Sequence, residues 1–356
     1  MKGIILHAGH GTRLRPLTHT GPKQLLPIAN KPMSQYCLES LIECGVKEIA
    51  IIIGGIAPEK VQEYYGDGSK FGIQISYIYQ DKPLGIAHAV NLCREFVGNE
   101  KFIVFLGDNI LIENLIDHAE KFSNSNFDAK ILLCEVDNPS QFGIAEINDD
   151  GSIKKIIEKP RTPPSNLAVT GIYFFTPKIF EIIKDLKPSW RNELEITDAL
   201  QKLVEQKCKI NYSRVTNNWK DTGTPQDIIF ANKMILTNMK DVFLGEKDKD
   251  AIMEGKIIVG KNTIIKSGTK IIGPVIIGNN CIINNGAQIG PNTSIGDHSE
   301  ICQCKIKDSI VMSNCIIDGD FTIKDSIIAL NSRISKNRQN NDEKIFLMGE
   351  GTKISL

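Results

Sequence analysis

Two hydrophobic rhythms run along this chain and change over near its two-thirds point. Up to residue 235, short apolar runs alternate with longer stretches whose apolar positions recur at helical spacing. The pattern predicts strands over Gly3–Leu6, Glu48–Ile53, Gln74–Tyr79, Phe102–Leu106 and Lys130–Glu135. Between them it predicts helices over Met33–Cys44, Pro58–Tyr65, Ala87–Phe96 and Asn114–Phe122. Alternation with crossovers of this length implies an α/β unit with a Rossmann-like, doubly wound, mostly parallel sheet. Such sheets take ligands at the carboxyl ends of their strands, which points to the segments after Leu6 and Leu106.

From residue 255 the period becomes six. Val259, Ile265, Ile271, Ile277, Ile283, Ile289, Ile295 and Ile301 recur without a miss. Four positions after each of the first seven sits a small residue or valine: Thr263, Thr269, Val275, Cys281, Ala287, Thr293 and Ser299. A period of six fits neither an amphipathic helix nor an alternating strand. It is the hexapeptide repeat of a left-handed parallel β-helix. The register stumbles near Cys302–Lys307 and resumes with Val311, Ile317 and Ile323. The expected division is an α/β domain over 1–240, a linker over 238–254, a β-helix over 255–335 and a C-terminal tail over 336–356.

Composition narrows the functional classes. With 356 residues the chain can build two cores. Forty-two basic and 42 acidic residues cancel, which argues against nucleic acid or a membrane surface as partner. No apolar run approaches the roughly 18 residues of a membrane span, and the immediate strand pattern leaves no room for a signal peptide. Nine scattered cysteines with no Cys-x-x-Cys pair fit a reducing cytoplasm. Cys302 and Cys304 are read as thiols on one repeat rather than as metal ligands.

The opening segment carries the densest chemistry. Ile4-Ile5-Leu6 runs into His7-Ala8-Gly9-His10-Gly11-Thr12-Arg13-Leu14-Arg15-Pro16-Leu17-Thr18, followed by Pro22-Lys23-Gln24-Leu25-Leu26-Pro27. Glycines let backbone N–H groups approach a phosphate chain, and Arg13 and Lys23 can neutralise it. Asp108, in Gly107-Asp108-Asn109, ends an apolar strand, where a carboxylate is costly unless it holds a cation or caps something. Magnesium suits it, because this ion takes few protein carboxylates alongside phosphate oxygens and water.

These segments resemble the signature of the sugar-1-phosphate nucleotidylyltransferases. Lys23-Gln24-Leu25-Leu26-Pro27 is similar to that of the glucose-1-phosphate thymidylyltransferases, whose longer branch carries an appended repeat domain. The likeness covers most of residues 1–235, with one departure: His7-Ala8-Gly9 stands where many members have Ala-Gly-Gly. The resemblance implies an enzyme that transfers a thymidylyl group from dTTP to glucose 1-phosphate, giving dTDP-glucose and pyrophosphate, with Mg2+ as cofactor. The sugar phosphate is already ionised at neutral pH, and no Ser, Cys or His stands in a nucleophile motif, so direct in-line displacement is expected.

Site residues follow from the same resemblance. Arg13, Lys23 and Asp108 would be catalytic, with Arg13 on the departing pyrophosphate and Lys23 bridging phosphates. Asp221, in Trp219-Lys220-Asp221-Thr222-Gly223-Thr224, would join Asp108 on the metal. Leu6, Ala8, Gly9, Gly11, Thr12 and Gln24 would contact the nucleotide. So would Gln80, Pro83 and Gly85, where the Gln80 amide can match a pyrimidine's carbonyl and N3–H and Gly85 lets the backbone lie near the ring. His88 is read as structural. Gly143, Glu158, Lys159, Val169, Tyr173, Arg191 and Trp219 would hold the sugar phosphate.

Three alternatives stay open. UTP could replace dTTP, since uracil and thymine differ by one methyl, about 1 kcal/mol. The β-helix could acetylate an amino-sugar phosphate, although His298 is the only histidine after residue 118 and stands in a turn. A non-catalytic regulator has no need of Arg13, Lys23, Asp108 and Asp221 together. The β-helix is expected to assemble the chain into a homo-oligomer.

Overall fold

The computed structural model of the protein describes residues 1–9, 11–216 and 219–335. The expected tail over 336–356 lies outside the described residues. Four parallel strands lie side by side in the order Phe102–Leu106, Lys2–Leu6, Glu48–Ile53, Gln74–Tyr79. The strand Lys2–Leu6 therefore has neighbours on both edges, and its register brings Leu6 level with Leu106. Both faces of this strand are covered, which is why it reads as an unbroken apolar run. Ile4 and Leu6 face one core with the helices Ile86–Leu92, Lys178–Lys184 and Ile196–Glu205. Ile5 faces the other, with Met33–Glu43, Glu59–Tyr65 and Ile116–Ser123. That is the doubly wound, three-layer arrangement.

Beyond Phe102–Leu106 the sheet becomes mixed. Leu167–Phe175, buried along all nine residues, runs antiparallel to Phe102–Leu106, Gly143–Ile147 and Ala129–Glu135. Ile153–Glu158 and Ile210–Val215 complete nine strands. The helix expected over 87–96 breaks at Cys93 into Ile86–Leu92 and Arg94–Val97.

The C-terminal residues form a left-handed parallel β-helix of three sheets, with six, six and five strands. The isoleucine column from Val259 to Ile301 is buried throughout. Ile306 lies in register with both Ile289 and Ile323. The stumble near Cys302–Lys307 is thus two corners each shortened by one residue, stepping from Ile301 to Ile306 to Val311. One set of corners stacks Asn262, Asn280, His298, Asn314 and Asn331, all with positive φ between 55° and 62°. Asparagine tolerates that left-handed conformation better than most residues do.

The expected linker is not a linker. Val242–Phe243, Glu246–Lys247 and Ile252–Glu254 pair in parallel with Ile258–Val259, Ile264–Ile265 and Lys270–Ile272, forming the first coil. In register with Val259, Ile265 and Ile271 it carries Phe243, Lys247 and Met253, the first two exposed, because this terminal coil pairs on one side only and is released from the isoleucine pattern.

Residue contacts group Met1–Gly11, Thr18–Leu25 and Met33–Asp221 into one compact unit. Thr12–Leu17, Leu26–Pro32 and the described residues from Thr222 onward form a second. Division of the sequence near 240 follows chain order, whereas two short pieces of the opening segment belong to the second unit. The long helix Pro225–Asn238 starts where Thr224 and Asp227 form a capping box with Pro225 at the first turn. No helix among the described residues is long and apolar enough to cross a membrane.

Candidate active site

The loop after Leu6 is shaped by its glycines, though not uniformly. Gly11 has φ +56°, and a Cβ there would come within 3.0 Å of Thr18 and 3.2 Å of Lys23. The Thr18 hydroxyl donates to the Gly11 carbonyl at 2.8 Å and closes this bend. Gly9 is different: a Cβ there would meet nothing within 4 Å among the described residues. The open space over Gly9 is what a ligand approaching the backbone needs. Leu6 is buried at the strand end, Ala8 is half-buried, and Thr12 and Arg13 are exposed on a short 3-10 turn anchored by buried Leu14. Thr12 and Arg13 belong to the second compact unit.

Lys23 forms an ion pair with Asp108. Both side chains are largely covered, at 14% and 16% exposure. Burial opposes ionisation of Asp108, but the Lys23 ammonium and the Asn109 amide outweigh it and hold the carboxyl below its usual range. Asp108 reaches this place because Gly107 donates its N–H to the Leu6 carbonyl at 3.0 Å. A Cβ on Gly107 would lie 2.8 Å from that oxygen.

Asn109, which sequence reasoning did not single out, is the hub beside Asp108. Its Nδ2 donates to Asp108 Oδ1 at 2.9 Å, while its Oδ1 accepts from the Trp219 indole at 2.7 Å and the Gly171 N–H at 3.3 Å. The strand Trp219–Asp221 pairs antiparallel with Asn109–Leu111, setting Asp221 opposite Asn109. The two expected metal carboxylates are thereby carried on adjoining backbones. Trp219, expected to hold the sugar phosphate, stands at the start of that strand. It is buried, edge-on to Phe142 at 5.7 Å, and its one polar atom is committed to Asn109.

Gln80 continues from Gln74–Tyr79 and is buried, its N–H donating to the Ile53 carbonyl. Its Nε2 donates to the Gly85 carbonyl at 3.3 Å and lies 2.9 Å from His88 Nδ1. His88 is therefore part of the Gln80 environment, which its helical spacing alone did not reveal. A Cβ on Gly54 would sit 2.5 Å from the Gln80 carbonyl, a steric demand the sequence reading missed. Gly85, at φ +101°, is closely packed as well: a Cβ there would overlap the Leu194 backbone. Its lack of a side chain serves packing within the protein. Pro83 is exposed on the same loop.

Gly143 and Glu158 face each other across an antiparallel pair. A Cβ on Gly143 would come within 2.5 Å of Thr197, whose hydroxyl donates to Glu158 at 3.0 Å. Burial raises the Glu158 carboxyl above its usual range, against the pull of Lys159 at 3.7 Å, the Thr197 hydroxyl and Arg191. Arg191 is held among Glu158, Glu193 and Glu195 at 3.5, 3.1 and 3.4 Å. Its charge is thus balanced by carboxylates rather than presented alone. Val169 and Tyr173 are buried in the strand Leu167–Phe175, Tyr173 stacked on Phe175 at 5.9 Å.

Outside these residues, all nine cysteines are free thiols. Cys37 is buried with its thiol raised by desolvation and donating to the Asn109 carbonyl at 3.3 Å. His298 occupies one of the positive-φ corners of the β-helix. Among the described residues no group of three or more His, Cys, Asp or Glu is arranged to hold a metal.

Comparison with known proteins gives a consistent set of likenesses. The nucleotidyl transferase family matches residues 2–238, and the GMPPB C-terminal domain matches residues 271–355. The chain is 46% identical to a low-salt glycan biosynthesis nucleotidyltransferase of Haloferax volcanii, over 94% of each protein. It is 38% identical to a glucose-1-phosphate thymidylyltransferase of Streptomyces antibioticus, over 100% of this chain and 99% of that protein. A bifunctional protein GlmU of Methanococcus maripaludis is 38% identical over 95% of this chain and 79% of its own length. Among solved structures, a putative glucose-1-phosphate thymidylyltransferase from Bacillus anthracis superposes with TM-score 0.63 at 40% identity, covering 68% of this chain and 98% of that one. A UDP-glucose pyrophosphorylase complexed with UDP-glucose gives 0.60 at 31% identity, covering 67% and 99%.

Proposed function

Because this chain belongs to the nucleotidyl transferase family, we propose that it joins dTTP to glucose 1-phosphate, releasing pyrophosphate and forming dTDP-glucose. The observation that carries the reading is the Lys23–Asp108 pair at the aligned ends of Lys2–Leu6 and Phe102–Leu106. A lysine and an ionised carboxylate there, beside open backbone at Gly9, are what a triphosphate needs for charge and approach. The full-length likeness to a thymidylyltransferase supports dTTP as donor.

Asp108 and Asp221 fit a magnesium ion by the hardness of their oxygens and by their adjoining strands. When bound, that ion would neutralise charge at the α-phosphate. Lys23 draws the phosphates toward the Asp108 strand end, and Arg13 takes charge on the departing pyrophosphate. Gln80, oriented through Gly85 and His88, reads the base edge. Glu158, steadied by Thr197 and Arg191, accepts from sugar hydroxyls, and Lys159 meets the sugar phosphate. No proton need be removed from the nucleophile, so no general base is assigned. We further propose that the chain works in the cytoplasm as a homo-oligomer assembled through its β-helix.

The test is pyrophosphate release with Mg2+ and glucose 1-phosphate, comparing dTTP, UTP, ATP, CTP and GTP. Preference for dTTP supports the reading. Equal or better use of UTP moves it to a uridylyltransferase, which the likeness to the UDP-glucose pyrophosphorylase and GlmU favours. Asp108→Asn and Lys23→Ala should each lower turnover by ~100-fold or more while the fold survives. Near-normal release by both variants would refute the site assignment.

A further inference from the structure

Glu195 opens the helix Ile196–Glu205 and is almost wholly buried, yet its carboxylate makes no capping bond to that helix. A buried carboxylate is costly unless its neighbours offset the charge. Those neighbours lie on the preceding turn. Glu195 Oε1 accepts from the Ser189 hydroxyl at 2.9 Å and lies 3.4 Å from Arg191 Nη1. The same Nη1 faces Glu158 Oε1 at 3.5 Å. One guanidinium nitrogen is therefore shared between Glu195 and the carboxylate proposed to accept from sugar hydroxyls. Thr197, two residues along the helix, reaches that carboxylate directly.

Arg191 comes to this place on a tight turn. Ser189 donates its N–H to the Glu193 carbonyl and Asn192 donates to the Ser189 carbonyl, both at 2.8 Å, with Asn192 at φ +61°. The Arg191 N–H donates to Ser189 Oγ at 3.1 Å. The Ser189 hydroxyl thus ties the turn's backbone to the Glu195 carboxylate. Trp190, at the tip, is exposed, so its indole adds no packing to the turn. The exit is fixed differently: Leu194 donates its N–H to the Leu84 carbonyl at 2.8 Å and accepts from the Ala87 N–H at 3.0 Å. Backbone bonds join that end to the segment carrying Gln80 and Gly85. The three carboxylates around Arg191 differ in exposure, at 30% for the Glu193 side chain, 18% for Glu158 and 4% for Glu195. An ion pair gains most where water screens it least, which singles out Glu195 as the anchor.

We propose that Glu195 is a positioning residue for the sugar side of the site: with Ser189 it holds the 189–193 turn so that Arg191 stays against Glu158. Leu194, which follows the same turn, keeps the base side in place independently. The kinetic consequence rests on the nucleotidyl-transfer reading; the mechanical one does not.

Two substitutions in the full-length chain test this. Glu195→Ala removes both contacts, and Glu195→Gln keeps an acceptor for Ser189 while losing the charge. In pyrophosphate release, KM for glucose 1-phosphate should rise about 10-fold or more in Glu195→Ala and by less in Glu195→Gln, with KM for the nucleotide within about twofold. In an Arg191→Met background Glu195→Gln has no guanidinium to hold and should change KM less than about twofold. Amide hydrogen exchange reads the turn itself. The Ser189 and Asn192 amides should exchange about 10-fold faster in Glu195→Ala, while Leu194 and the strand Lys2–Leu6 are unchanged. Equal rises in both KM values, a full Glu195→Gln effect without Arg191, unchanged exchange at the turn, or acceleration shared by Leu194 and the strand overturns the inference. If Glu195→Ala does not fold, Glu195→Gln carries the same readouts in the same directions. If the wild-type chain releases no pyrophosphate with any nucleotide, the proposed function fails alone, and exchange decides whether Glu195 holds the turn.

Discussion

His7 tests how the end of the first strand is built. Its imidazole is 1% exposed, neither ring nitrogen has a hydrogen-bond partner among the described residues, and Tyr65 meets it edge-on at 5.9 Å. Burial, only partly opposed by the Asp108 carboxylate, drives its pKa from 6.5 down to about 3. In the unfolded chain it returns to about 6.5. The folded protein therefore refuses a proton that the unfolded chain accepts. Its contribution to stability is complete above pH 6.5 and is lost as pH falls from there toward 3. Integrated between pH 7 and pH 5, with those two pKa values, the loss is about 2 kcal/mol. His7→Leu removes this linkage while keeping apolar volume. Urea unfolding of both proteins at the two pH values gives the comparison. The wild type should lose about 2 kcal/mol more than the variant on going to pH 5. Glu158, with its raised pKa, acts in the opposite direction but does so in both proteins. Equal pH losses would refute the account of His7 as a neutral, desolvated residue.

Asn109→Leu should destabilise the sheet unit by roughly 2–6 kcal/mol, because the Trp219 and Gly171 donors are both left buried without an acceptor. Asn109→Asp keeps that acceptor but sets a second carboxylate beside Asp108, so activity should fall more than stability; a variant active within about twofold would remove Asn109 from its role. His298→Asn should leave nucleotidyl transfer unchanged and stability equal or slightly higher, by a few tenths of a kcal/mol, since asparagine suits the corner's positive φ. Release of free CoA from acetyl-CoA and glucosamine 1-phosphate, abolished by that substitution, would instead revive an acetyl-transfer role. A chain ending at residue 240 lacks every β-helix coil and should run at a smaller assembly size in light scattering; an unchanged size would exclude the β-helix as the assembly module.

The amino-acid sequence alone determined whatever depends on local period and composition. Lys2–Leu6, Glu48–Ile53, Gln74–Tyr79 and Phe102–Leu106 were legible because strands buried on both faces read as apolar runs. The β-helix was legible because each coil repeats the same inward isoleucine, and the opening loop because phosphate chemistry needs small residues and cations close together in sequence. Other features were decided only in three dimensions. The direction of Leu167–Phe175 depends on which edges it pairs with, which its apolar run does not encode. The first coil over 242–254 hid because a terminal coil carries Phe243, Lys247 and Met253 where inner coils carry isoleucine. Asn109, His88, Thr197 and Glu195 act through partners up to 110 residues away in the chain. A polar residue's meaning lies in the donor or acceptor that burial sets against it, and only the packed chain brings those two together.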